Sequence, residues 1–79
     1  MEVEIHDPEN KAPVKQLYAW LSVDEQGREG IVAVGEYATG IPLITGDPAK
    51  VPMMQELADA SARFTRKRII RAIFERKQT

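Results

Sequence analysis

The chain contains no cysteine and a single histidine, His6. Disulfides and thiolate metal sites are therefore excluded, and a metal held by side chains would have to rest almost wholly on carboxylates. A cysteine-free chain suits a reducing cytoplasm. Long apolar runs are missing too: none approaches the roughly 18 residues that a membrane-spanning helix needs. The opening MEVEIHDPENK is acidic and lacks the basic-then-apolar order of a signal peptide. A cytoplasmic protein with no membrane partner is expected. Aromatic residues are few, at two Tyr, two Phe and one Trp, so each one counts in the reading of the core. Seventy-nine residues make one domain. A chain this short buries only about 60% of its unfolded surface. Without disulfides or metal, a partner subunit is the expected source of additional stability.

What is present is a charge asymmetry. Residues 1–62 carry eleven acids against four bases, and residues 63–79 carry seven bases against one acid, Glu75. The closing stretch RFTRKRIIRAIFERKQT is thus strongly basic although the whole chain has a formal net charge of -1. A basic end can be an arm for nucleic acid, or a strand whose charges face water.

Residues 1–13 are polar, contain two prolines and read as a flexible leader, with a short extended piece at Val3 to Ile5. The compact domain is expected over 14–77. VKQLYAWLSV is rich in β-branched and aromatic residues and predicts a strand. DEQGREG marks a turn, and GIVAVGEYA predicts a second strand, so the two form a hairpin. Gly40 and Pro42 break that second strand, and Leu43 to Thr45 form a short edge piece. Asp47-Pro48 is a helix-start signature, with an acceptor at the cap and proline in the first turn. Pro52 delays the regular helix to about Val51. From there Met53, Met54, Leu57, Ala58, Ser61 and Phe64 fall on one stripe, which predicts the buried face, while Gln55, Glu56, Asp59 and Arg63 face away.

Beyond Phe64 the helical stripe meets Thr65 and Arg68 and fails. Read with a period of two, Ile70, Ala72 and Phe74 point one way and Ile69, Arg71 and Ile73 the other. A strand is the expected reading, although no glycine stands between Phe64 and Arg68 to end the helix. The fold class is therefore α+β, in the order β-β-α-β. A right-handed helical crossover sets the last strand beside the first, giving sheet order 2-1-3 with one helix on one face. If Leu17, Ala19, Leu21 and Val23 meet that helix, Tyr18, Trp20 and Ser22 face the open side with Ile69, Arg71 and Ile73.

The run LYAWLSVDEQGREGIVAV resembles the hairpin of a family of small, uncharacterised bacterial and phage proteins. The shared features are aromatics in the first strand, an acidic glycine-containing turn and Glu-Gly-Ile-Val. PLITGDPAKVPMMQELA continues the likeness, which spans residues 16 to 76. The resemblance implies a small α+β module and brings with it no activity and no site residues.

Three functional readings follow. In the first, Tyr18, Trp20, Ile69, Arg71 and Ile73 form an apolar interaction patch, because monomers seldom leave such patches open. Its expected cover is a second copy of the chain, joined through the sheet face or an edge strand, with another protein or the chain's own residues 1–13 or 38–46 as the alternatives. In the second, the same face binds single-stranded nucleic acid: Tyr18 and Trp20 stack on bases, and Arg66, Lys67, Arg68 and Arg71 hold phosphates. An acidic overall composition weighs against it. In the third, the chain is an enzyme, but no set of base, nucleophile and orienting group can be assembled. His6 stands in the polar leader, Ser22 and Ser61 have no histidine near in sequence, and Asp24, Glu25 and Glu29 crowd a solvated turn without calcium-loop spacing. No cofactor is implied. A homodimeric binding module without catalytic activity is the expected function.

Overall fold

The structure, a computed structural model, describes residues 13–35 and 40–78. It is an α+β fold in the order the sequence predicts, with short additional strands. Strand β1 spans Gln16–Val23, β2 spans Glu29–Ile31 and β3 spans Ala33–Val34. Strands β4, Ile41–Pro42, and β5, Ile44–Thr45, follow. A single 3-10 turn, Pro48–Lys50, leads into helix α1, Val51–Thr65, and strand β6, Arg68–Glu75, closes the fold. The expected leader with its extended piece and His6 lies outside the described residues, apart from the exposed Pro13.

Local chemistry explains the boundaries. The β1–β2 turn is tied by Asp24, whose carboxylate accepts from the backbone N–H of Gln26 and Arg28 at 2.8 and 2.9 Å. Gly27 supplies the positive φ of 79° there. Asp47 caps the 3-10 turn by accepting from Ala49 N–H at 2.9 Å, with Pro48 next in line. The helix starts at Val51, where the sequence places it, because Pro52 has no N–H to offer and fits the first turn. It ends without glycine: Arg66 takes the left-handed conformation at φ 59° and donates its N–H to Ala62 C=O at 2.8 Å. The tail then turns back as a strand.

Strand β1 is central, as expected. It pairs antiparallel with β6 along its whole length, from Gln16 opposite Glu75 to Val23 opposite Arg68. Its other edge is shared: β2 pairs with Leu21 to Val23, and β5 pairs with Tyr18 and Ala19. Strands β3 and β4 pair with each other, Ala33 opposite Pro42. Three chain segments thus each pair with the other two. Where they part, Trp20 N–H donates to Leu43 C=O at 3.1 Å, Leu43 N–H to Val32 C=O at 2.8 Å, and Val32 N–H to Trp20 C=O at 2.8 Å. This closed ring of three bonds satisfies all six backbone groups at the point of deepest burial. The side chains of Trp20, Val32 and Leu43 join Met54 and Ala58 of α1 to form the core.

Two expectations about faces are overturned. The helix packs on the side of the sheet that carries Tyr18 and Trp20, so Leu17, Ala19, Leu21 and Val23 face away from it. The buried side of α1 is also rotated: Met54 and Ala58 are buried and Gln55 turns inward, while Met53 and Leu57 are exposed and Phe64 is 91% exposed. Both corrections have one cause. The indole offers the largest apolar surface in the strand, and burying it here also satisfies its N–H through Gln55.

Candidate interaction surface

Register fixes which residues share the side of the sheet that carries no helix. Opposed residues in an antiparallel ladder point to the same face. Leu17 lies opposite Phe74, Ala19 opposite Ala72 and Ile44, and Leu21 opposite Ile70 and Ile31. The result is a continuous aliphatic and aromatic sheet face. Leu17, Ile31, Ile44 and Phe74 are exposed on it, around a shallow cleft of about 330 Å³. Leu21 and Ile70 are half-buried between them, and Ala19 is buried by its neighbours. Strand alternation explains the uniformity, since every odd position from Leu17 to Val23 in β1 is aliphatic.

One end of this face carries charges of both signs. Val23 stands between Glu29 of β2 on one side and Arg68 of β6 on the other, all three on the same face. At the other end, Arg76 N–H donates to Lys15 C=O at 2.9 Å, which continues the ladder by one residue.

Tyr18, Trp20, Ile69, Arg71 and Ile73 do share one face, through the registers Tyr18 to Ile73, Trp20 to Arg71 and Ser22 to Ile69. That face is the one beneath the helix. Trp20 is 0% exposed and its Nε1–H donates to Gln55 Oε1 at 3.0 Å, so it cannot form an open patch. Tyr18 and Ile69 pack against the same core. Arg71 and Ile73 remain exposed. The open apolar face inferred from composition exists, but its members are Leu17, Leu21, Ile31, Ile44, Ile70 and Phe74. Sequence reasoning missed them because both faces of LYAWLSV are apolar, and the more uniformly aliphatic row was assigned to the core. The signal that distinguishes the rows is polar: Trp20 needs an acceptor, and Gln55 flanks the buried Met54 and Ala58 stripe of the helix.

Base stacking on Trp20 is overturned by the same burial. Arg66, Lys67 and Arg68 do gather, at the helix-to-strand turn, where they border an open groove of about 750 Å³. Arg28, Asp24, Glu25 and Glu29 border it as well. The bases there face acids that a phosphate would have to oppose. Asp24 is held below the usual carboxylate pKa by the Arg28 N–H first and the Arg28 guanidinium second, with a smaller contribution from the Lys67 charge. Arg28 Nε lies 2.6 Å from Asp24 Oδ2.

The Ser61 and Ser22 hydroxyls bond to backbone: Ser61 Oγ donates to Leu57 C=O at 2.8 Å, and Ser22 Oγ to Gly30 C=O at 3.4 Å. Among the described residues, no group of three or more acids and histidines is placed to hold a metal ion. No helix among them is long and apolar enough to cross a membrane. No protein-family model, curated protein or solved structure matches this chain.

Proposed function

We propose that this protein is a small non-catalytic binding module that associates with a second copy of itself through the open sheet face. The observation that carries this reading is the row of exposed apolar residues Leu17, Ile31, Ile44 and Phe74 on one face of one sheet. Contiguous apolar surface of this kind is stabilised by exclusion of water when a matching surface covers it. The charges at its end favour a second copy as the cover. A two-fold axis parallel to β1 lays one sheet on the other with β6 over the β2 side of the partner. Arg68 then approaches the partner's Glu29, and the contact is made twice. Two sheets packed in this way adopt the aligned arrangement of a β-sandwich, about 10 Å apart.

The size of the face sets the strength. An eight-residue strand and three strand widths cover about 26 Å by about 14 Å, roughly half of the ~800 Å² that each partner gives to a standard interface. Such a dimer is reversible and concentration-dependent.

Light scattering after size exclusion, run over a range of concentrations and at low and high salt, tests the reading. The expected result is an associated species that resists salt, because apolar burial dominates. Ile31→Lys, at an exposed position that packs on nothing in the core, is expected to abolish this contact while the fold survives. An Ile31→Lys protein that associates as the wild type does would refute the reading.

A further inference from the structure

We infer a second, separate self-contact: the outer edge of β6 pairs antiparallel with the same edge of another copy, centred on Ile73. It adds to the self-association proposed above but uses different atoms.

The edge is set by the ladder. The bond from Arg76 N–H to Lys15 C=O makes the even residues of β6 the ones whose backbone groups point at β1. The N–H and C=O of Ile69, Arg71, Ile73 and Glu75 therefore point outward, and among the described residues no strand pairs with them. Natural edge strands are commonly short, bulged or broken by proline. This one runs eight regular residues, RIIRAIFE, without proline or glycine. Its side chains point to the same need. Ile73 is 51% exposed on the helix side of the sheet, and its neighbour Phe74 is 53% exposed on the other side. A partner lying on one face covers only one of the two. A strand added at the edge contacts both.

Symmetry and charge select the register. A two-fold axis normal to the sheet keeps both helices on one side and pairs residues of equal parity. Centred on Arg71, it sets two guanidinium groups side by side. Centred on Ala72, it sets Arg68 against Arg76 at both ends. Centred on Ile73, it sets Arg71 opposite the partner's Glu75 and Glu75 opposite the partner's Arg71, with Ala72 filling in beside Phe74 on the other face. Only this last register matches opposite charges twice, and opposed charges across a ladder stabilise it where like charges destabilise it.

The test uses the full chain, which has no cysteine of its own. Ile73→Cys is oxidised and compared with Ala72→Cys and Arg71→Cys. Directly opposed residues lie within the Cα separation that a disulfide spans. Ile73→Cys is expected to give a disulfide-linked dimer fastest. A face-to-face dimer alone leaves Ile73 on the side of the sheet away from the contact and gives no such bias. Arg71→Glu and Glu75→Arg are each expected to weaken the edge contact by about tenfold or more, and the two together to restore it. Ile31→Lys provides the background in which the edge contact is read alone. Equal or absent cross-linking at position 73, faster cross-linking at position 72, or no rescue by the double exchange overturns the inference and leaves the face contact untouched.

Discussion

Trp20 Nε1–H donates to Gln55 Oε1 at 3.0 Å, a side-chain bond between the central strand and the helix. It joins residues 35 positions apart, between the fully buried Trp20 and a half-buried Gln55 at the margin of the core. It ties the helix to the face of the sheet that carries Trp20.

Gln55→Leu is expected to cost about 1–3 kcal/mol, because it strands the indole N–H in an apolar site. Gln55→Glu keeps an acceptor and is expected to cost less. Urea unfolding followed by the emission of the single tryptophan measures both. If Gln55→Leu unfolds at the wild-type urea concentration, the bond does not hold the helix to the sheet.

Trp20 itself is expected to emit as a fully buried indole, with little quenching by iodide. An oligonucleotide added at low salt is expected to leave that emission unaltered, since no base can reach the ring. Trp20→Ala is expected to cost about 3–5 kcal/mol, most of the stability that a chain this short has. Strong iodide quenching of the folded protein would contradict the burial of Trp20.

Arg66 carries a left-handed φ of 59° at the end of the helix, a conformation that an arginine adopts at a cost and glycine adopts freely. Arg66→Gly is expected to stabilise the fold by about 0.5–1 kcal/mol, the larger freedom of glycine in the unfolded chain offsetting part of the gain. Thermal unfolding reads the shift, and a fall in melting temperature would count against it.

Asp24 sets a small acid dependence. Its carboxylate accepts from Arg28 N–H and Arg28 Nε, which hold its folded pKa below the ordinary value. The charged form is therefore favoured by folding. Its contribution is complete above the unfolded pKa of about 3.9 and is lost as pH falls through the lower folded value. Asp24→Asn is expected to be less stable than wild type at neutral pH, with the two stability curves converging in acid. Parallel curves down to the acid limb would show that the turn does not depend on this charge.

Much of the architecture was legible in the residues. The helix start at Asp47-Pro48 with Pro52 in the first turn, the hairpin around Gly27 and the strand at Arg68–Glu75 follow from local rules about donors, acceptors and alternation. The grouping of Tyr18 and Trp20 with Ile69, Arg71 and Ile73 followed from parity. The helix end was harder to read, because Arg66 takes the place that glycine would advertise.

Residue patterning specifies the α+β order, the central place of the first strand and the existence of one apolar sheet face that the helix does not cover. Those features depend on period, turn chemistry and the number of apolar residues, together with the handedness of the helical crossover. Which face that is depends on long-range packing. Both rows of β1 are apolar, so burial alone does not separate them, and the choice falls to a single long-range requirement. The indole of Trp20 is the largest apolar group in the strand and must also satisfy one N–H, and Gln55 meets that need from the helix. The ring of backbone bonds among Trp20, Val32 and Leu43 then sends all three side chains to the same side. Leu17, Ile31, Ile44 and Phe74 are left facing outward as a consequence.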